Sequence, residues 1–506
     1  MAVPMSRTTH ALSRRIADTL ALRPDAPAIE YEQQWVSRRE LGVLARRIRA
    51  FVTAYPLGRR EVGILLRNRP EHVAALLGVL LGGGTVVVIN PSRGDERTRA
   101  DIAALRLPLI IGASDDLAEL VTAAPGTATL VIEGTVAEPR LHTTPVPRAR
   151  TGTTPSDVAV RMLTSGTTGP PKRVDITYDM LARSVIGPDP ENAPAPTHPR
   201  TGIAIVNAPL VHIGGVFRIL QCIAEARPFV LLPRFRLEQW ARAVRSHRPG
   251  AVSLVPAAVR TVLHSELTRD DLSSIRVVTS GTAPLSAEDA DAFYEKFGIP
   301  VLTSYAATEF GGGVAGWTLA DHQRYWRDKR GSVGRATGGA RLRVVDEDGA
   351  ELPAGRPGLL EVAPGQFGPS ANWMRTTDLA RIDADGFLWI LGRADQAIIR
   401  GGFKIMPDDV RTALESHPAV LGAAVVARPD PRLGEVPVAM VEPADGSAVD
   451  AAALLGYLRD RLAPYEIPAE IAVVAVIPRT PSGKADLAAV RAHFGSAVPA
   501  ARRHCP

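Results

Sequence analysis

Cysteine is nearly missing from this 506-residue sequence: Cys222 and Cys505 are its two, and the second lies in an Arg-Arg-His-Cys-Pro tail. A disulfide framework is thereby excluded, and the fold must rest on a packed core. Aromatic residues make up only 5% of the chain and say nothing about a ligand. No charge of one sign prevails either, because 59 Lys and Arg stand against 53 Asp and Glu for a net charge of +6. An excess so thinly spread suits small anions such as phosphates better than it suits a DNA-binding face. Arg46, Arg47 and Arg49 do cluster, but on the polar side of a helical pattern, and no nucleic-acid motif accompanies them.

Also missing is an apolar run long enough to span a bilayer, which needs about 20 residues. The nearest approach, residues 73–89, is cut by Gly82, Gly83 and Gly84 and reads as helix, turn and buried strand ahead of Asn90-Pro91. Residues 1–22 mix Arg14, Arg15 and Asp18 with apolar residues. They read as an amphipathic helix rather than a signal peptide, which points to a cytoplasmic protein with no membrane partner.

What the chain does contain, 45% hydrophobic and 22% charged residues, is the balance of a compact globular protein. Its length exceeds what one core can hold, so two or more domains are expected. Ser37 and Glu40 form a capping box ahead of Leu41, Leu44, Ala45, Ile48 and Val52 at helical spacing. Short apolar runs at 62–66, 85–89, 109–112 and 129–132 alternate with helical patterns, as in an α/β protein with mostly parallel, buried strands. Residues 123–155 and 187–200 are rich in proline and read as surface loops. After Gly392-Arg393-Ala394-Asp395 the pattern becomes that of a smaller α+β unit, with strands near Ile398 and at 423–427, 437–441 and 471–476. The expected organisation is a large α/β domain over 1–394 and a small α+β domain over 395–506.

The strongest chemical signal is Thr164-Ser165-Gly166-Thr167-Thr168-Gly169-Pro170-Pro171-Lys172, directly after the apolar stretch 158–163. Glycines let backbone N–H groups approach phosphate oxygens, hydroxyls donate further hydrogen bonds, and a lysine adds charge where negative charges converge. Gly-Lys-Ser/Thr does not follow the glycines, so the segment does not read as the loop of a P-loop NTPase.

In this segment the chain resembles the adenylate-forming superfamily of acyl-CoA synthetases, carrier-protein adenylation domains and beetle luciferases. The likeness continues in order through Asn207-Ala208-Pro209-Leu210-Val211-His212, Ser280-Gly281-Thr282-Ala283-Pro284-Leu285, Tyr305-Ala306-Ala307-Thr308-Glu309, Thr377-Asp378 and Gly392-Arg393-Ala394-Asp395. It ends with Arg400-Gly401-Gly402-Phe403-Lys404-Ile405 and Pro481-Ser482-Gly483-Lys484. The resemblance implies an AMP-forming acid–thiol ligase that uses ATP, Mg2+ and coenzyme A, with AMP as product.

It also implies residue roles. Thr164, Ser165, Gly166, Thr167, Thr168, Gly169 and Lys172 would hold the phosphates. Glu309 would hold the magnesium, Thr308 would contact the α-phosphate, Tyr305 would lie against the adenine, and Asp378 and Arg393 would reach the ribose. Ser280, Gly281, Thr282, Ala283 and Pro284 would line the adenine and acyl sites. Lys484 would span the acid carboxylate and the α-phosphate and offset their repulsion. Gly401, Gly402 and Lys404 match a loop that forms a pantetheine tunnel once the small domain has rotated about a hinge at Asp395. His212 matches a gate between the acyl and thiol channels. Ala306 and Gly311 fall at the acyl pocket, where Gly311, Gly312 and Gly313 would leave space.

Five positions depart from the family's pattern. Arg173 stands where glycine is usual; if that backbone needed a positive φ, a side chain would cost on the order of 1–2 kcal/mol, and its bulk would lie near the pyrophosphate path. Ala306 replaces a pocket glycine, Asp409 and Arg411 replace a pair of glutamates, and Thr376 replaces a glycine two residues before Asp378. These changes raise the reading of an enzyme that mainly performs the thioester half-reaction on a preformed adenylate. A stand-alone adenylation domain that loads a carrier protein is a further reading. The expected partners are a small carboxylic acid or its adenylate and CoA or a carrier protein, with a homodimer as the commonest symmetric assembly. The acid itself is not legible.

Overall fold

The computed structural model describes residues 9–54, 61–92, 95–121, 127–142, 157–164, 172–400, 403–444, 447, 449–480 and 483–495. Among them the sheet expected from the alternating apolar runs is formed. Its seven strands run in the order Arg140–Leu141, Ala128–Val131, Leu109–Gly112, Glu61–Leu65, Thr85–Ile89, Val158–Thr164 and Lys172–Thr177. The inner pairs are parallel and the two edge pairs antiparallel. Thr85–Ile89 is buried at every position, so helices must cover both of its faces. The helix Pro70–Leu81 is buried along its length. It packs on Arg38–Ala54, whose buried positions include Leu41, Leu44, Ala45, Ile48 and Val52. The capping box forms as expected: Ser37 donates from N and Oγ to Glu40 Oε2 at 2.7 Å, and Glu40 N donates to Ser37 Oγ at 3.2 Å. An N-terminal amphipathic helix runs Ala11–Ala21, and no helix among the described residues is long and apolar enough to cross a membrane.

A second sheet, ordered Ala251–Ser253, Val277–Ser280, Val301–Ala307, Gly312–Gly316 and Arg335–Ala336, begins parallel and ends antiparallel. A third, built from Arg341–Val345, Gly358–Ala363, Met374–Ile382 and Leu388–Arg393, is antiparallel throughout. The shortest of its connections, 383–387, leaves no room for a crossover. There Asp383 Oδ1 accepts from the N–H groups of Asp385 and Phe387, and a hairpin this tight permits only antiparallel pairing. Of the two proline-rich segments, 187–200 contains no helix or strand, while 123–155 lies partly outside the described residues and elsewhere supplies the edge strand Arg140–Leu141 and its neighbour Ala128–Val131, so it is not loop throughout.

From Ile398 onward Gly434–Pro443 is flanked by Val420–Asp430 and Ile398–Arg400, with Glu470–Val473 added in parallel. Two apolar clusters here draw only on residues 398–494. Parallel strands deliver ligand-binding segments at their carboxyl ends. Val158–Thr164 leads into residues 165–171, Val277–Ser280 into Gly281 and Thr282, and Val301–Ala307 into Thr308 and Glu309.

His72, fully buried in Pro70–Leu81, accepts a hydrogen bond at Nδ1 from Arg67 N. Desolvation, helped by nearby Arg69, pushes its pKa down to about 4. The folded state therefore holds this ring neutral, and the stability it contributes is fully present above pH 6.5 and lost as the pH falls from 6.5 towards 4. The loss at pH 5 is about 2 kcal/mol. Thermal unfolding should show a lower Tm at pH 5 than at pH 7.5, with a shallower drop in His72→Asn; an equal drop in the variant contradicts the assignment.

Candidate active site

Asp378 and Arg393 face each other across the antiparallel strands Met374–Ile382 and Leu388–Arg393. Threonines fix both. Thr376 Oγ1 donates to Leu360 O at 2.9 Å and accepts from Asp378 N at 3.0 Å. Thr377 Oγ1 accepts from Arg393 at 2.7 Å and 3.1 Å, and Arg393 also pairs with Asp395 at 2.7 Å. Thr376, a departure from the family's glycine, is thus the residue that pins the Asp378 backbone. Tyr305 arrives on Val301–Ala307, where a bulge between Tyr305 and Ala306 breaks the regular pairing with Gly312–Gly316 and re-aims the side chains. Its hydroxyl donates to Asp378. Burial, reinforced by the Asp378 charge, holds the phenol above its usual range, so it stays a donor. Burial also raises the Asp378 carboxyl, against the hydrogen bond from Tyr305 and the charge of Arg393.

Lys484 comes from the far end of the chain, in a turn closed by Thr480 N to Lys484 O at 2.7 Å and Gly483 N to Thr480 O at 2.8 Å. Gly483 has φ +82°, a left-handed conformation that glycine adopts without strain. The turn is anchored on buried Glu442, which accepts from Arg479 at 2.9 Å and from Ile477 N at 3.0 Å. Lys484 is exposed, yet neighbouring protein crowds its ammonium. Desolvation and then Arg393 push it below the usual lysine range, while Glu309 and Asp378 act in the opposite sense. His212, the N-cap residue of Ile213–Ala224, is held at about pKa 4 by desolvation and then by Lys484. It is neutral at physiological pH, with Nε2 buried and unpartnered among the described residues. Glu309, in the short turn Thr308–Phe310, is exposed. Electrostatics therefore tie Lys484 to Glu309, Asp378, Arg393 and His212, which come from well-separated parts of the sequence.

A cavity of about 1160 Å³ is lined by Ser280, Gly281, Thr282, Ala306 and Gly313, and it reaches the lysine turn at Gly483. Thr282 has φ +73°. A β-branched residue in the left-handed region costs about 1–3 kcal/mol, so the surrounding structure must hold the backbone there. Ser280 Oγ, buried beside it, has no partner among the described residues. Ala283 and Pro284 are exposed and do not line the cavity. Gly311 does not open space as expected: at φ +69° it packs on Met180, whose Cε would lie 2.6 Å from an added Cβ. Of the three glycines 311–313 only Gly313 lines the cavity.

Ser165, Gly166, Thr167, Thr168, Gly169, Gly401 and Gly402 lie outside the described residues, as do the side chains of Thr164 and Lys404. Lys172 is exposed and opposite Thr164 in the strand register. Arg173 follows it in extended strand, opposite Leu163, so the position needs no positive φ. Its guanidinium donates to Asp101 at 2.6 Å and to Val88 O at 3.3 Å, which ties it to the helix Asp95–Leu105. Arg411 is bound in a second network with Asp408 at 3.0 Å and with Glu415. Glu415 also accepts from Arg260 at 2.6 Å, and Arg260 pairs with Asp289 at 2.7 Å. Arg260 lies on Pro256–Leu263 and Glu415 on Pro407–Glu415, so this nearly buried cluster joins the segment after 395 to the one before it. Sequence reading had no signal for a partner 155 residues away. No cluster of three or more metal-ligating side chains occurs among the described residues.

A large α/β assembly followed by a small α+β unit that hands a lysine to a Tyr–Asp–Arg cluster is the plan of an adenylate-forming enzyme. Residues 16–366 match the family described as AMP-binding enzyme, and residues 409–484 match the AMP-binding enzyme C-terminal domain. The chain belongs to this family, within the adenylate-forming superfamily of acyl-CoA synthetases, and is an AMP-forming acid–thiol ligase. It is 30% identical over 478 residues to 4-coumarate–CoA ligase 1 of Oryza sativa subsp. japonica, covering 87% of this chain and 84% of that protein. It is 32% identical over 354 residues to a feruloyl-CoA synthase of Amycolatopsis sp, covering 67% and 70%. Among solved structures, ATP-bound MatB from Rhodopseudomonas palustris aligns with a TM-score of 0.77 at 25% identity, covering 96% of this chain and 99% of that one.

Two substitutions test these assignments. Glu415→Gln leaves Arg260 and Arg411 facing each other without their shared carboxylate and should destabilise the protein by about 3 kcal/mol; an unchanged Tm contradicts the network. Arg173→Gly removes the pair with Asp101 and the hydrogen bond to Val88 O. It should cost about 1 kcal/mol and keep ATP–pyrophosphate exchange within about threefold; a tenfold change in exchange would put Arg173 back on the phosphate path.

Proposed function

We propose that this chain activates a carboxylic acid with ATP as its acyl-adenylate and passes the acyl group to coenzyme A, in the cytoplasm where both cosubstrates are found. The observation that carries the reading is the Lys484 ammonium, crowded by protein and in electrostatic reach of Asp378 and Glu309. In the first half-reaction a carboxylate oxygen of the acid attacks the α-phosphorus, the bond to the β-phosphate breaks, and pyrophosphate leaves. Two anions must meet for that step, and a positioned ammonium opposes their repulsion.

In this scheme Asp378 and Arg393 take the ribose, with Tyr305 against the adenine, Thr308 at the α-phosphate and residues 164–172 at the outer phosphates. Mg2+ is bound in such sites through one or two carboxylates plus substrate phosphates, and exposed Glu309 fits that single-carboxylate role; the ion would neutralise phosphate charge there. His212, neutral beside Lys484, separates the acyl and thiol channels without adding a competing charge. In the second half-reaction a thiolate attacks the acyl carbon and AMP leaves. Gly401, Gly402 and Lys404 line the thiol's approach after the small domain, 395–506, has turned about Asp395. That turn requires the Arg260–Glu415 contact to break.

Coenzyme A as acceptor is supported by the relatives, which are named as CoA ligases and a CoA synthase. The half-reaction reading loses its main motive, since Arg173 is tied to Asp101. Nothing in the site favours a carrier protein over CoA. The test is Lys484→Ala. Exchange of pyrophosphate into ATP should fall by about 100- to 1000-fold, while thioester formation from a synthetic acyl-adenylate keeps most of its rate. Exchange that survives the substitution contradicts the reading.

A further inference from the structure

The helices Tyr178–Val185 and Ile213–Ala224 contribute Arg183 and Arg218 to the lining of the cavity. Neither forms an ion pair with a carboxylate among the described residues. Arg218 donates once, to Gln221 Oε1 at 2.8 Å, and its Nε is buried with no partner among the described residues. Arg183 donates to Pro188 O at 2.9 Å. Gln366, buried on the same cavity, donates to Gly313 O at 2.8 Å and leaves Oε1 unmet. The two carboxylates lining the cavity are both committed elsewhere, Glu415 to Arg260 and Arg411 and Glu442 to Arg479.

This wall therefore holds positive charge that the protein does not balance. A neutral acyl chain packed over the arginines would leave their donors unpaired, which is costly. A carboxylate would meet a guanidinium fork with two parallel hydrogen bonds. Resting on the ligase reading above, we propose that the substrate acid carries a second carboxylate remote from the reacting one. Arg218, assisted by Arg183, binds that group and determines specificity, while Lys484 attends to the carboxylate that is activated.

The test uses the full chain in ATP–pyrophosphate exchange with acids matched except at the far end: 4-carboxycinnamate against 4-methylcinnamate, and adipate against hexanoate. The diacid should be favoured in kcat/KM by about 10- to 100-fold in at least one pair, mainly through KM. Arg218→Met should shrink that ratio to within about threefold. Arg218→Lys, which keeps the charge but not the fork, should retain an intermediate preference, above that of Arg218→Met, and separates loss of recognition from loss of folding. If the neutral partners are preferred in both pairs, or if Arg218→Met weakens both members of a pair equally, the inference is overturned and the ligase reading stands. If no acid of either kind supports exchange, both fall.

Discussion

A lysine ammonium crowded by protein keeps its charge where negative charge stands near enough to offset the lost hydration. In this protein the ammonium is Lys484, and the charge is supplied by Glu309 and Asp378, with Arg393 opposing. Glu309 follows a strand of the second sheet and Asp378 lies on a strand of the third, so two sheets must be in register with each other before the cleft exists. The lysine itself is carried by a turn anchored on Glu442 in the sheet after Ile398. The same ammonium helps keep His212 neutral. Every feature of the proposed chemistry thus depends on one long-range electrostatic arrangement.

That arrangement is held by polar contacts more than by an apolar seal. Arg260, Glu415, Arg411, Asp408 and Asp289 form a continuous chain of opposite charges, with Glu415 nearly inaccessible. Buried ion pairs are weak evidence for net stability, because desolvation offsets much of their attraction, but they are specific about geometry. A joint of this kind fixes one orientation and can still be parted, since water can replace each partner once the surfaces separate. The scheme of two half-reactions needs both properties.

Much of the fold was legible because it is local. Ser37 with Glu40 announces a helix start, and the run at 85–89 is too short and too β-branched to be anything but a strand. The triplet at Gly82 tells a break in an apolar run from a membrane span. The site was legible as a set of motifs, and the structure brings Tyr305, Asp378, Arg393, Glu309, His212 and Lys484 together. What escaped were facts about partners. Arg173 looked like an obstacle at the phosphates until Asp101, distant in sequence, took its charge. Gly311 looked like room for a substrate until Met180 filled it. Arg411, Glu415 and Arg260 each resemble solvated surface charges, and only the tertiary fold makes them one cluster. Spacing reports what a segment can form by itself and is silent on which side chain will meet it.

The central claim, that the Lys484 ammonium works from a position crowded by protein among large-domain charges, is tested most directly by the alkaline limb of the kcat/KM profile for ATP–pyrophosphate exchange, which reports groups of the free enzyme. The account predicts that exchange declines with an apparent pKa below the ordinary lysine value of about 10.5, as the ammonium loses its proton early. A kcat/KM that holds steady up to that value would show an ammonium unperturbed by its neighbours and contradict the account.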